Sequence, residues 1–323
     1  VGDNFKVNVM LTSMSTGEEV LSDSFDGQHN ELKAISGKII SQFADKLSVD
    51  LSDTIKELFD RENKIDNEAY KKFLEGKYLF DIRDSSDSIK KSEKIFRKAL
   101  KIDDEFAECH AMLGMLYNFI GELDDAEDEL EEALDIAEDS NNYDALSIIY
   151  NNMGIYYKEQ KRFEKSIKFF NKGIKLQKTL PNDDMKANLL HNMSGCYGSM
   201  GNFDKMLIYL EQSQGIYEKL DDSIRLGNSY GEMGNAYKTA LNNEQAMKYY
   251  EKAKQIFVSE EMNSSIAQLL ILQSEIFLSM KDYKTTKHNL DEASKISETF
   301  DIPMMEGRIY LAYAQLYDQE DKV

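Results

Sequence analysis

The sequence predicts an all-α fold, a solenoid of antiparallel helix pairs with a small α/β piece at its N-terminus. Three observations predict it. The 323 residues include only two prolines and 17 glycines, so few residues interrupt helices. A short pattern recurs every 40 residues, and such a period is typical of stacked supersecondary units. Within each copy, apolar residues follow a helical period.

Composition limits the function classes. The chain has 39 basic and 59 acidic residues, giving a net charge of −20. Because this charge repels phosphate groups and anionic lipid, we expect no nucleic-acid binding and no membrane contact from this chain. Two cysteines, Cys109 and Cys196, are too few for a disulfide framework. The sequence contains no signal peptide and no apolar run that could span a bilayer, which favours a cytoplasmic location.

The N-terminal segment differs from the rest of the chain. Residues 5–11 alternate apolar and polar side chains, which predicts a half-buried strand. A turn at 15–18 and a returning strand at 20–25 follow, and then an amphipathic helix at 32–47 and a short helix at 51–59. Two strands and a helix are marginally stable alone. We therefore expect either further strands upstream of Val1 or docking of this piece on the first repeat.

We place the domain boundary at residue 60, so that residues 1–60 form the α/β segment with a linker helix and residues 61–323 form the helical array. The array is defined by the pattern Met-Gly-x-x-Tyr at 153–157, which recurs 40 residues on as Met-Ser-x-x-Tyr and 80 residues on as Met-Gly-x-x-Tyr. Related copies in the same register lie at 113–117, 273–277 and 313–317, and a less regular one lies at 75–79.

Each copy has a second half in register. Ala126, Leu130 and Ala133 illustrate a small, large, small series on one helix face. Small residues let two helices approach closely, and the large one fills the groove between them. We predict helix pairs at 146–160 with 162–177, repeated 40 and 80 residues on. We expect Gly154 and Gly234 at the helix crossings.

These patterns resemble the tetratricopeptide repeat, L-G-x-x-Y followed by A-x-x-x-F-x-x-A, whose usual period is about 34 residues. The longer period of 40 is similar to that of kinesin light chains and many bacterial sensor proteins. The resemblance covers Asn67 to the C-terminus. It implies a right-handed superhelix of about six full repeats and the first helix of a seventh, with a concave groove lined by the first helix of each pair.

A second resemblance involves the N-terminal segment. Leu11, Thr16-Gly17-Glu18 and Phe25-Asp26, with Glu68–Leu79 at the junction, resemble the end of the TolB-like domain in bacterial adenylate/guanylate cyclase-associated proteins. The two resemblances together imply a non-catalytic protein- or peptide-binding scaffold, the regulatory or sensor region of a bacterial signal-transduction protein. The cyclase domain is not part of this chain.

Polar residues on the predicted groove positions are the candidate binding residues. Asparagine can donate to and accept from a peptide backbone, and lysine can pair with a carboxylate. The alternative is that Asn152 and Asn192 brace neighbouring helices. In the sixth repeat the groove positions become apolar and include Ile271 and Leu278. The predicted groove residues are Asn151, Asn152, Lys158, Asn188, His191, Asn192, Asn228, Asn235 and Lys238.

Other functions are less well supported. A small-molecule or short-peptide sensor with a closed pocket in repeats four to six remains the alternative. Gly227–Gly231 spells G-x-S-x-G, but that motif works at a strand-to-helix turn and here falls inside a predicted helix. The four histidines have no metal-ligand spacing. We therefore predict no enzyme activity and no catalytic, cofactor-binding or metal-binding residues.

Two further surfaces remain open. Glu122–Asp139 carries eleven carboxylates and no base, which predicts either a solvated convex face or a dock for a basic partner or a divalent ion. We expect the terminal helix to pack back on repeat six through an apolar face with Tyr310, Tyr313, Ala314 and Tyr317, which no second helix covers. We expect the chain to continue past Val323, or this helix to act as a cap or homodimer contact; the N-terminal strands are a second possible dimer contact.

Overall fold

A computed structural model describes residues 4–12, 19–28, 39, 65–82, 85–178, 182–300 and 302–320. These residues form two strands and thirteen helices. The expected turn at 15–18, the helix at 51–59, the boundary at residue 60 and all of the expected helix at 32–47 except residue 39 lie outside the described residues. Within the described ranges, no helix is long and apolar enough to cross a membrane.

The N-terminal strands form the predicted hairpin. Strand β1 (Asn4–Thr12) pairs antiparallel with β2 (Glu19–Gln28), and Val7 lies opposite Phe25. Val7 and Val9 are partly buried while the residues between and beside them are exposed. The period-two alternation therefore predicted the strands correctly.

The thirteen helices follow the predicted order of alternating first and second helices within the described residues. From α5 onwards, each first helix begins 40 residues after the previous first helix. The bounds are α1 (Asn67–Ile82), α2 (Ser86–Leu100), α3 (Ala107–Ile120), α4 (Leu123–Asp139), α5 (Tyr143–Glu159), α6 (Phe163–Leu176), α7 (Asp183–Ser199), α8 (Phe203–Lys219), α9 (Ser223–Thr239), α10 (Asn243–Ser259), α11 (Asn263–Ser279), α12 (Tyr283–Thr299) and α13 (Pro303–Glu320).

From the second pair to the sixth, the turn within the pair has one backbone geometry. A residue with positive φ follows the first helix, for example Leu241 with φ of 58°. The next N–H, that of Asn242, donates to the carbonyl of Tyr237 at 2.9 Å. This arrangement satisfies carbonyls that the helix end leaves unpaired. It recurs at Gly121, Lys161, Gly201 and Lys281, so the repeat also fixes where each first helix ends.

Small residues lie where the helices of a pair cross. A Cβ added to Gly114 would lie 2.8 Å from Cγ of Leu130, and one added to Gly234 would overlap ring carbons of Tyr250. Leu130 and Tyr250 are both fully buried. The predicted crossing at Gly234 is thus confirmed, and Gly154 is also buried.

The chain divides into two compact units, residues 1–156 and 157–323. In the second unit, α13 packs on repeat six through buried side chains that include Ile309 and Leu316. The expected contact face was wrong by part of a helical turn, because Tyr310, Ala314 and Tyr317 are exposed. Tyr313 is partly buried and its hydroxyl donates to Asp291.

Candidate functional site

The candidate site lies in the second unit, on the first helices of consecutive repeats. We call it the groove face and define it as Lys158 at the end of α5, three residues on α7 and three on α9. Its α7 residues are partly exposed, as are Lys158, Asn235 and Lys238, and Asn228 is exposed. The members on α7 and α9 are Asn188, His191, Asn192, Asn228, Asn235 and Lys238.

One part of the groove face is held together by Arg225 of α9. Its Nη1 donates to Oδ1 of Asn188 on α7 at 2.9 Å, and its other nitrogens pair with Asp184 and Asp222. The guanidinium also lies over the Tyr217 ring, 5.1 Å from its centroid. Burial alone would lower the pKa of Arg225, but the two carboxylates raise it. Asn188 therefore braces α7 against α9.

Three other groove residues also have partners inside the protein. Oδ1 of Asn235 accepts a hydrogen bond of 2.7 Å from the hydroxyl of Tyr250, whose ring is buried. Lys238 pairs with Glu275 on α11. His191 lies with Nε2 3.4 Å from Glu232. The contacts of Lys238 and His191 join neighbouring first helices, whereas that of Asn235 joins α9 to α10, the second helix of its own repeat.

Two groove residues have polar groups available for a ligand. Within the described chain, Lys158 makes no ion pair and Asn228 makes no side-chain hydrogen bond. Lys158 extends over α7, with its Nζ 3.9 Å from the position that a Cβ on Gly195 would take. It lines an open depression of about 650 Å³, together with Lys161 and Ser199. A positive charge and a free amide therefore lie on the same unit.

The predicted groove residues of the first unit have a different environment. Asn152 is 7% exposed, and its Nδ2 has no hydrogen-bond partner. Burial makes Asn152 a part of the core, and Asn151 is partly exposed.

The predicted apolar groove positions of the sixth repeat, in the second unit, also belong to the core. Ile271 and Leu278 are 2% and 7% exposed, because α13 packs against α11.

The residues with nominal chemical potential are placed for structure. Ser229 of the G-x-S-x-G sequence is buried inside α9 and accepts a hydrogen bond from Gln214 Nε2 at 3.1 Å. Both cysteines are buried, and burial raises the pKa of each thiol. His110 contacts Glu129 at 2.7 Å. In the part of the chain that the structure describes, no three His, Cys, Asp or Glu side chains are grouped to hold a metal ion.

A comparison with protein families supports the assignment of the repeats. The model of the tetratricopeptide repeat matches residues 106–179 and 185–257. The helix pairs in these two ranges are similar to tetratricopeptide repeats, the family that the sequence pattern indicates. A search of curated proteins found no match. The tetratricopeptide repeat is generally a non-catalytic scaffold.

Solved structures share the fold at low sequence identity. BtubC from P. vanneervenii aligns with a TM-score of 0.58 and 20% identity over 67% of this chain and 90% of that protein. The tetratricopeptide repeat sensor protein of Pyrococcus horikoshii, a signal transduction ATPase with numerous domains, aligns with a TM-score of 0.67 and 19% identity over 80% of this chain and 39% of that protein. Pseudomonas aeruginosa pilF aligns with a TM-score of 0.53 and 19% identity over 79% and 97%.

Proposed function

We propose that the chain is a non-catalytic scaffold that binds a protein or peptide segment along the groove face of residues 157–323. The proposal rests on a contrast between groove-face side chains that have partners inside the protein and those that do not. Asn188, Asn235 and Lys238 are engaged with neighbouring helices, whereas Lys158 and Asn228 are not. Tetratricopeptide repeats commonly bind protein segments, which supports a ligand of this kind.

The arrangement suits an extended, partly acidic segment. The amide of Asn228 can donate to a peptide carbonyl and accept from a peptide N–H. Lys158 can form a charge-assisted contact with a carboxylate in the open depression beside Gly195. Because the ion pairs of Arg225 and Lys238 already fix α7, α9 and α11, little side-chain ordering is required when the segment binds.

The wider role is a regulatory or sensor region of a bacterial, cytoplasmic signal-transduction protein. The hairpin of β1 and β2 supports the resemblance to the end of a TolB-like domain of cyclase-associated proteins. The neighbour described as a tetratricopeptide repeat sensor of a signal transduction ATPase supports the sensing role.

A display library of random peptides, selected on the whole chain, tests the proposal. We expect enriched peptides to share an acidic residue and to lose affinity for Lys158→Ala by about tenfold or more, since a hydrogen bond to a charged group contributes about 1.5–3 kcal/mol. Lys168→Ala is the matched control, because Lys168 is an exposed lysine on the second helix α6. Enriched peptides that bind both the Lys158→Ala and the Lys168→Ala variant as tightly as the unsubstituted chain would contradict the groove assignment.

A further inference from the structure

The first unit carries two helices with oppositely charged exposed stripes. Lys90, Lys94 and Lys98 on α2 and Lys101 directly after it are exposed and form no ion pair within the described chain. Arg97 is held by Glu93 of its own helix. These four lysines form a basic stripe. It borders a shallow depression of about 330 Å³ that Lys94, Lys98 and Lys101 help to line. A basic surface is thus exposed on a chain whose net charge is −20.

Helix α4 has the opposite character. It carries ten carboxylates and no basic residue between Leu123 and Asp139. Most are solvent-exposed, and the stripe along one face makes no ion pair with any described residue. The stripe consists of Asp124, Asp128, Glu131, Glu132 and Asp135.

The two stripes occupy equivalent positions of consecutive repeats. The buried series Ser92, Phe96, Ala99 of α2 corresponds to Ala126, Leu130, Ala133 of α4, an offset of 34 residues. Applying the same offset to the exposed residues inverts the charge at every position of the stripe. The resulting pairs are Lys90 with Asp124, Lys94 with Asp128, Lys98 with Glu132 and Lys101 with Asp135, and Arg97, which Glu93 holds, corresponds to Glu131.

Both helices flank α3 within one unit. The hydroxyl of Tyr117 on α3 contacts Arg97 and Glu93 of α2, while His110 on α3 contacts Glu129 of α4. The hydrogen bond with Glu93 is the main cause that raises the pKa of Arg97, and the charge of Glu129 also contributes. The two stripes therefore lie on helices that contact the same helix, and among the described residues no ion pair joins a stripe lysine to a stripe carboxylate.

We propose that this charged face is an interface between two copies of the chain. A two-fold axis parallel to the helices, midway between α2 and α4, places α2 of one copy over α4 of the second copy at equal height. Each basic position then faces the acidic position of the same repeat register, and the symmetry doubles the contacts. In this arrangement oppositely charged helices face each other, and like-charged helices lie farther apart on the diagonal. Moderate salt therefore screens the repulsion more than the attraction, and the net interaction stays attractive. This interface is separate from the groove face.

Sedimentation equilibrium of the whole chain tests the proposal. We expect dimers at about 50 mM salt and monomers at about 500 mM, because the screening length falls well below the distance between the helices. Reversing one stripe, by Lys94→Glu with Lys98→Glu or by Asp128→Lys with Glu132→Lys, should weaken self-association at least tenfold. A mixture of the two double variants should form heterodimers, and the quadruple variant should dimerise again.

A matched control separates local pairing from net charge. Lys284→Glu with Lys295→Glu on α12 changes the net charge equally at exposed lysines of the second unit and should leave the dimer intact. A chain that is monomeric at about 50 mM salt overturns the proposal. A dimer that persists at high salt and ignores both stripe reversals also overturns it and points to another surface, such as α13.

Discussion

Replacing Gly234 by alanine should show that helix crossings control the stability of the array. A Cβ at this position would overlap the ring of Tyr250. The ring is 0% exposed, and its hydroxyl is fixed by Asn235 at 2.7 Å, so it cannot move away at either end. Such overpacking costs about 1–3 kcal/mol, against a gain of about 1 kcal/mol for alanine over glycine in a helix.

Gly231→Ala in the same helix is the control, because a Cβ at Gly231 meets no atom within 4 Å. The helix-propensity gain is common to both variants, so their difference isolates the packing cost. We expect Gly234→Ala to melt about 2–12 °C below Gly231→Ala, measured by circular dichroism. Adding Tyr250→Leu should recover part of the loss, since repeats four and six combine Ser194 and Ser274 with a leucine sixteen residues on. The reasoning is refuted if Gly234→Ala is as stable as Gly231→Ala.

Three other substitutions probe local features. Leu241 is 88% exposed with a φ of 58°, so Leu241→Gly should raise the free energy of unfolding by about 0.5–1 kcal/mol in a urea titration; a loss of stability would contradict the turn geometry. Asn235→Ala removes the acceptor of the Tyr250 hydroxyl and should cost about 1–3 kcal/mol by the same titration, whereas an unchanged midpoint would show that the bond is not needed. Burial alone would lower the pKa of His110, but hydrogen bonds with Glu129 and a backbone carbonyl raise it. The stabilisation that protonated His110 supplies is then fully present below about pH 6.5 and is lost as pH rises through the folded pKa. The difference in unfolding free energy between wild type and His110→Gln should therefore shrink towards pH 9. A difference that stays constant with pH would show that the contact involves a neutral imidazole.

The sequence predicted the helical architecture well because a strict period determines it. The 40-residue register fixed the helix pairs, and the small residue at Gly234 fixed the crossing with Tyr250. The phase of α13 was predicted less well, since a terminal helix packs on one side only and Tyr310 proved to be exposed.

The site was less predictable from the sequence. The groove positions indicated which residues lie on the face, and repeat equivalence alone cannot distinguish a brace from a free group. Asn188 is engaged because Arg225, 37 residues later in the sequence, donates a hydrogen bond to it. Lys238 is engaged because Glu275 on α11 forms an ion pair with it. The equivalent lysine two 40-residue periods earlier, Lys158, has no such carboxylate. These differences depend on side-chain contacts between repeats that no single repeat contains.

Site-specific photo-crosslinking tests the central claim most directly, since it locates the ligand on the surface. A photoreactive residue is placed at Asn228 on the groove face and, in a separate variant, at Lys168 on α6, both exposed in the structure. A peptide enriched by display selection is then added and illuminated with each variant. The groove assignment predicts a crosslink from position 228 that excess unlabelled peptide abolishes, and none from position 168. Crosslinking from position 168 alone would contradict the assignment.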